Sequence, residues 1–313
     1  MKNEVKGFLF VAAAAMLWGL AGTVAKYMFN QDVRPVHVAE MRAVLSFLLL
    51  FVYLAVANRK CLWFARSDLL FMAVFGMVGV AGVQVTYLMA IKETNVATAI
   101  FLQYLAPALV LVYGVLRRAE QLTLCKLAAL ALAVGGGYLI VTGKVGGGLA
   151  TTPLGLAYGL ASAAFFAFYT LFGKKGLEKY GAWTLTVYGY GFAAVLWCFV
   201  QNPVGVWLAY NWTERLFFVY IAVFATVLPF GFFFEGLKYL SPTKTGIIST
   251  LEPVVAAVLA FLLLGERLAL MQIAGCGLIL AAVVLIQTRP GAPEQHVNET
   301  VGDRSELSAG TKH

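Results

Sequence analysis

Ten apolar runs divide the chain, at roughly residues 7–29, 36–57, 68–90, 95–116, 123–142, 153–173, 182–201, 215–237, 243–264 and 269–288. A hydrocarbon core about 30 Å thick is crossed by about 20 residues of α-helix. Each run is therefore long enough to span a bilayer, and ten such runs leave no room for a water-soluble core. Runs of this length and continuity select helices.

Composition agrees. Hydrophobic residues make up 61% of the 313 residues and charged residues 12%, against about 45–50% and about 25% in ordinary soluble domains. The first run, preceded by Lys2 and Lys6, resembles a secretory signal at its start. It continues to Phe29, beyond the length of a signal's apolar region, so it reads as an uncleaved first helix. The net charge of +8 is distributed among short connections and gathers on no single face, which argues for membrane orientation and against a nucleic-acid partner. With the N-terminus inside, the 23 Lys and Arg divide sixteen to six between the inner and outer sides, with Arg42 inside a span. The expectation is an integral protein of a bacterial cytoplasmic membrane with both termini cytoplasmic. Cys61, Cys125, Cys198 and Cys276 stand singly, with no Cys-x-x-Cys pairing to suggest zinc or a disulfide framework. The stretch from Pro290 onward is polar and aperiodic, as a solvated tail would be.

The chain also repeats itself. A shift of 146 positions pairs Lys92 with Lys238, Leu105 with Leu251, Pro107 with Pro253 and Glu120 with Glu266, and a shift of 148 pairs Trp18 with Phe166 and Lys26 with Lys174. A five-helix unit written twice has an odd number of crossings, so the second copy enters the membrane from the opposite side. The predicted fold is an all-α polytopic membrane protein with ten transmembrane helices in two inverted five-helix repeats. The units are residues 1–146 and 147–288, and residues 289–313 form a disordered cytoplasmic tail.

Polar atoms inside such spans point to function. A proline within a helix frees the carbonyl four residues earlier: Pro107 that of Gln103, Pro229 that of Ala225 and Pro253 that of Ser249. On the ninth span, Thr245, Ser249 and Glu252 fall within roughly 60° of arc, giving one polar stripe that runs from the cytoplasmic end to mid-membrane. A carboxyl at mid-membrane costs about 2.5–3.5 kcal/mol on insertion scales, so it is turned inward and partnered. It can tie helices together, hold a proton, or bind a cation. Arg42 and Glu40 lie near the outer end of the second span, where a long side chain can snorkel outward. Gln84 and Gln103, beside Tyr87 and Tyr104, can read a polar cargo or bond between helices. Trp18, Phe166 and Tyr169 lie on stripes that mix small residues with aromatics, which serve packing or cargo contact equally. His37 and Glu40 are three apart but lack further ligands nearby, so no metal site is expected. There is no HExxH, GxSxG or phosphate-binding loop, and no cofactor is expected.

"MLWGLAGTVAK" in the first span, Arg42, "YLMAIKETNVATA" leading to Pro107, and "LEPVVAAVLAFLLLGERL" together resemble the EamA-type branch of the drug/metabolite transporter superfamily over residues 5–288. The resemblance implies alternating-access transport of small metabolites through a cavity built by both units. It also implies a scaffold role for Glu252 shared by carriers of different cargoes. Glu266, after a tight turn, reads as a helix cap. Ala106 stands where the second unit has Glu252, so the halves contribute unequally. The expected cavity is lined by Trp18, Gln84, Tyr87, Gln103, Tyr104, Phe166, Tyr169, Ser249 and Glu252. Arg42, Thr245 and kinks at Pro107, Pro229 and Pro253 gate it, and Glu252 couples cargo to a proton. The expected cargo is a small amphipathic metabolite, amino-acid-like or cationic, moving outward. An importer of choline-like amines is the alternative, followed by a membrane enzyme or sensor that transports nothing.

Overall fold

The computed structural model describes residues 2–29, 33–94, 96–143, 152–264 and 268–288, and these are helical apart from short connections. The first unit begins with α1 (Lys2–Phe29) and α2 (Pro35–Ala57). α3 runs Leu69–Val74, passes through a π-helical turn Phe75–Val80 and continues Ala81–Glu93. α4 consists of two pieces, Val96–Gln103 and Ala106–Leu116, and α5 is Leu124–Thr142. The second unit repeats the order. α6 is Pro153–Gly176 and α7 is Ala182–Val200; α8 runs Trp212–Ala222, a π-helical turn Val223–Val227 and Leu228–Leu237; α9 consists of Pro242–Ser249 and Leu251–Leu264; α10 is Leu270–Thr288. Nine of these are long and apolar enough to cross a membrane among the described residues, and the two pieces of α9 make the tenth crossing.

The repeat is visible in the irregularities. Both π-helical turns fall at the same place in their units, and both broken helices part at the same place: Tyr104 and Leu105 in α4, Thr250 in α9. Packing follows the same two-fold logic. α1 lies against α8 and both pieces of α9, while its counterpart α6 lies against α3 and both pieces of α4; α2 pairs with α7, and α5 with α10. Each contact is either its own image or has one in the other unit, as two inverted copies around a common axis require.

Proline explains the breaks differently from a simple kink. Pro107 lies in the first turn of the second piece of α4, and Pro253 is the third residue of the second piece of α9. A missing N–H costs nothing in a first turn, and the fixed φ suits it. The expected kinks at Pro107 and Pro253 are therefore corrected: each proline starts a new helix. The polar stripe is corrected with them. The break at Thr250 separates Ser249 from Glu252, and Ser249 and Thr245 donate instead to the carbonyls of Gly246 at 2.7 Å and Ser241 at 3.0 Å.

A close backbone approach joins the two units. A Cβ at Gly136 on α5 would lie 2.6 Å from the Gly275 carbonyl oxygen on α10, and a Cβ at Gly275 would lie 2.6 Å from that of Gly136. Ala129, Ala133, Ile279 and Ala282 fill the rest of this seam. Where lipid replaces water, such close packing of small residues is what holds helices together. Gly136→Leu is expected to separate α5 from α10 and cost at least the about 1–3 kcal/mol of core overpacking, read as a lower midpoint of thermal unfolding in detergent. An unchanged midpoint would show that this seam is not a principal contact.

Candidate functional site

The π-helical turn of α8 organises the centre of the bundle. Thr226 sits within it and donates to the Ile221 carbonyl at 2.9 Å, five residues back. Arg42 on α2 reaches into this turn, its Nε donating to Thr226 Oγ1 at 2.8 Å and an Nη to the Ala225 carbonyl at 3.4 Å. Ala225 is four residues before Pro229, so the freed carbonyl expected from the sequence is the one the guanidinium fills. Of the outcomes open to Arg42 and Glu40, outward snorkelling is not the one found: Arg42 points into the bundle, and Glu40 is 0% exposed.

Around Arg42 stands a wall of rings. Its guanidinium lies 5.4 Å from the Phe230 ring centroid, within cation–π range. Phe230 also receives Trp18 edge-on at 4.9 Å, Tyr169 at 5.7 Å and Tyr190 at 5.8 Å. Tyr190 is within hydrogen-bonding reach of Arg42. Phe166 stacks on Tyr169 and tilts against Phe233, and it is buried.

Glu252 lies in the first turn of the second piece of α9. Tyr104, at the break in α4, donates to Glu252 Oε2 at 2.5 Å. Tyr87 lies within electrostatic reach of both Glu252 and Arg42, and so is Glu252 of Arg42. No ion pair joins Arg42 to Glu252 among the described residues. α1 comes close to this point, since a Cβ at Gly19 would lie 2.9 Å from the Glu252 carbonyl oxygen. Trp18, Arg42, Tyr87, Tyr104 and Glu252 are deep in the bundle yet only half-buried. They lie where the two units meet, with Tyr104 on Glu252 and Arg42 on Thr226.

The other expected lining residues have partners of their own. Gln103 donates to Ser162 at 2.9 Å, tying α4 to α6. Gln84 is buried beside α7 and accepts from Trp197 Nε1 at 3.2 Å. Ser249 and Thr245 are fully buried and bonded within their own helix. Tyr190, Phe230 and Thr226 belong to the centre and were not singled out in the sequence. Phe230 and Thr226 flank Pro229, which was the available signal; Tyr190 carried none. Among the described residues no cluster of His, Cys, Asp or Glu could hold a metal. Glu266 and the tail lie outside the described residues, as does the side chain of Lys26.

At the end of the bundle that holds the N-terminus, polar ties close the two units on each other. Glu120 pairs with Lys126 at 2.6 Å and accepts from the Thr243 N–H at the start of α9. Lys244 meets Glu4 at 3.2 Å. Tyr180 donates to Asp68 at 2.5 Å and accepts from the Ala65 N–H at 3.2 Å.

This arrangement, two broken helices meeting at a charged centre, coincides with what comparison with known proteins finds. The model of the EamA-like transporter family matches residues 5–142 and again residues 153–288. The chain belongs to the EamA-like transporter family. It is 30% identical over 289 residues to the uncharacterized inner membrane transporter YicL of Salmonella typhimurium, covering 91% of this chain and 96% of that one. It is 27% identical over 279 residues to the threonine/homoserine exporter RhtA of Escherichia coli, covering 88% of each. A solved crystal structure superposes with a TM-score of 0.72 at 18% identity, over 89% of this chain and 95% of that one, and shares the fold. The EamA-like chain is thus an integral membrane protein of a transporter family.

Proposed function

We propose that this chain is a secondary transporter that exports a small amino-acid-like zwitterion across the cytoplasmic membrane by alternating access, with both termini on the cytoplasmic side. The single observation that carries the cargo assignment is that Arg42 and Glu252 lie within electrostatic reach of each other yet are each bonded to another residue, with no ion pair between them. A cargo carboxylate fits the guanidinium, and an ammonium fits Glu252 beside the rings of Trp18 and Phe230. The name of the exporter RhtA supports both the cargo class and the direction. Sidedness rests on the distribution of Lys and Arg.

Gating follows from the paired breaks. The pieces of α4 and α9 turn about Tyr104 and Thr250, while the ties at the N-terminal end hold that side shut. Cargo that bridges Arg42 and Glu252 draws the two units together and favours the exchange of open sides, because only differential binding can shift such an equilibrium.

Purified protein in liposomes, loaded with unlabelled threonine, should take up labelled threonine by counterflow. Competition should come from neutral amino acids and not from their decarboxylated amines. Exchange of quaternary amines alone would replace this reading with that of an amine carrier. Exchange of neither, nor of nucleosides, would remove the transport reading.

A further inference from the structure

Glu40 is the one buried acid of α2, and its surroundings differ from those of Glu252. It is 0% exposed, and among the described residues neither carboxyl oxygen has a hydrogen-bond partner. Arg42 lies two residues further along α2, hence on another face of the helix, and is committed to Thr226 and Ala225. His37 is engaged with the Tyr210 hydroxyl at 2.8 Å. From α7 the titratable group within reach of Glu40 is the Cys198 thiol. From α8, Tyr220, whose buried hydroxyl has no partner, packs against the cluster that contains Met41. On α3, which also packs against α2, Gln84 is buried and uncharged, its Oε1 taken by Trp197 and its amide nitrogen without a partner.

A full negative charge in such a place has nothing to offset it, whereas a neutral acid leaves at most one donor unpaired. A metal cation is no better served, because among the described residues no group of His, Cys, Asp or Glu that could hold one is gathered there. A proton requires none. Glu40 is also five residues into α2, on the order of 8 Å from its start, so opening the α2 and α7 ends on that side would bring it to water. Glu252, by contrast, has a hydroxyl donating to it and a guanidinium facing it, and both are groups a cargo ammonium can share or replace.

We propose that Glu40 binds the proton that couples transport, held while α2 and α7 are packed together and released when their ends open, and that Glu252 is reserved for the cargo. Cargo and proton then occupy different sites on opposite faces of α2, and the helix that carries Arg42 senses both. The proposal rests on the transport reading for its functional arm and is independent of it for its spectroscopic arm.

Wild type, Glu40→Gln and Glu40→Asp should be compared in liposomes. In infrared difference spectra between mildly acidic and alkaline buffer, wild type should lose the carbonyl stretch of a protonated carboxyl. That band should be absent in Glu40→Gln and displaced in Glu40→Asp. Glu40→Gln, which copies the neutral acid in shape, should keep amino-acid counterflow and lose accumulation driven by a pH gradient. Glu40→Asp should retain some of that accumulation. Identical spectra in wild type and Glu40→Gln, or undiminished accumulation in Glu40→Gln, would overturn the assignment. If no protein exchanges any amino acid, the transport reading fails while the infrared comparison still decides whether Glu40 holds a proton.

Discussion

Glu252→Gln should weaken cargo binding by at least 30-fold while leaving the bundle folded. The carboxylate is the only acid at the centre among the residues placed there, held by Tyr104 at 2.5 Å in the first turn of the second piece of α9. Glutamine keeps the size and an acceptor for that hydroxyl, so the contact between the two broken helices survives. What disappears is the charge opposite the cargo ammonium. Removing one partner of a buried hydrogen-bonded charge pair costs about 2–5 kcal/mol, which is roughly 30-fold to several thousand-fold in affinity. Equilibrium binding of labelled amino acid and counterflow at saturating cargo separate affinity from turnover. A variant that binds normally and loses only its response to a pH gradient would return the coupling proton to Glu252, and the assignment to Glu40 would fall with it.

Most of the fold was legible because it depends on patterns the bilayer enforces. Apolar length located ten spans to within a few residues, and the 146-residue shift announced two copies; packing in mirrored pairs is the consequence. The site was legible where chemistry in lipid is expensive. Glu252, Arg42 and the tyrosines stood out as polar atoms that needed partners, and the carbonyl freed by Pro229 was named before its guanidinium partner was. Harder to see were features decided between helices. The break at Thr250 depends on how α9 meets α4 and α1, so a continuous-helix projection put Ser249 and Thr245 on the wrong side of it. Gln84 and Gln103 could not be sorted from cargo contacts because Trp197 and Ser162 are distant in sequence. Tyr190 and Phe230 look like ordinary apolar residues until Arg42 lies against them. The π-helical turns left no local signature that the two units share, since Pro229 has Val83 as its counterpart.

Arg42→Gln should invert the choice between an amino acid and its decarboxylated amine. In the intact protein the guanidinium does two jobs at once, satisfying the Ala225 carbonyl and Thr226 while presenting positive charge to the centre. Glutamine can still donate to the π-helical turn, so the buried carbonyl need not be orphaned, a loss that would otherwise cost about 1–3 kcal/mol. The charge, however, is gone. A cargo carboxylate then enters a space holding only the negative Glu252, whereas the corresponding amine meets one acid and the rings of Trp18 and Phe230 with nothing repelling it. A like charge left without its counterion costs several kcal/mol across a desolvated contact, so the ratio of inhibition constants for amine and amino acid should move by at least about 100-fold. Arg42→Lys tests the geometry separately: it keeps the charge, cannot form the guanidinium fork, and should preserve the preference with weaker binding. If amine and amino acid keep their wild-type ratio in Arg42→Gln, the positive charge serves the π-helical turn alone and the cargo is not recognised through its carboxylate.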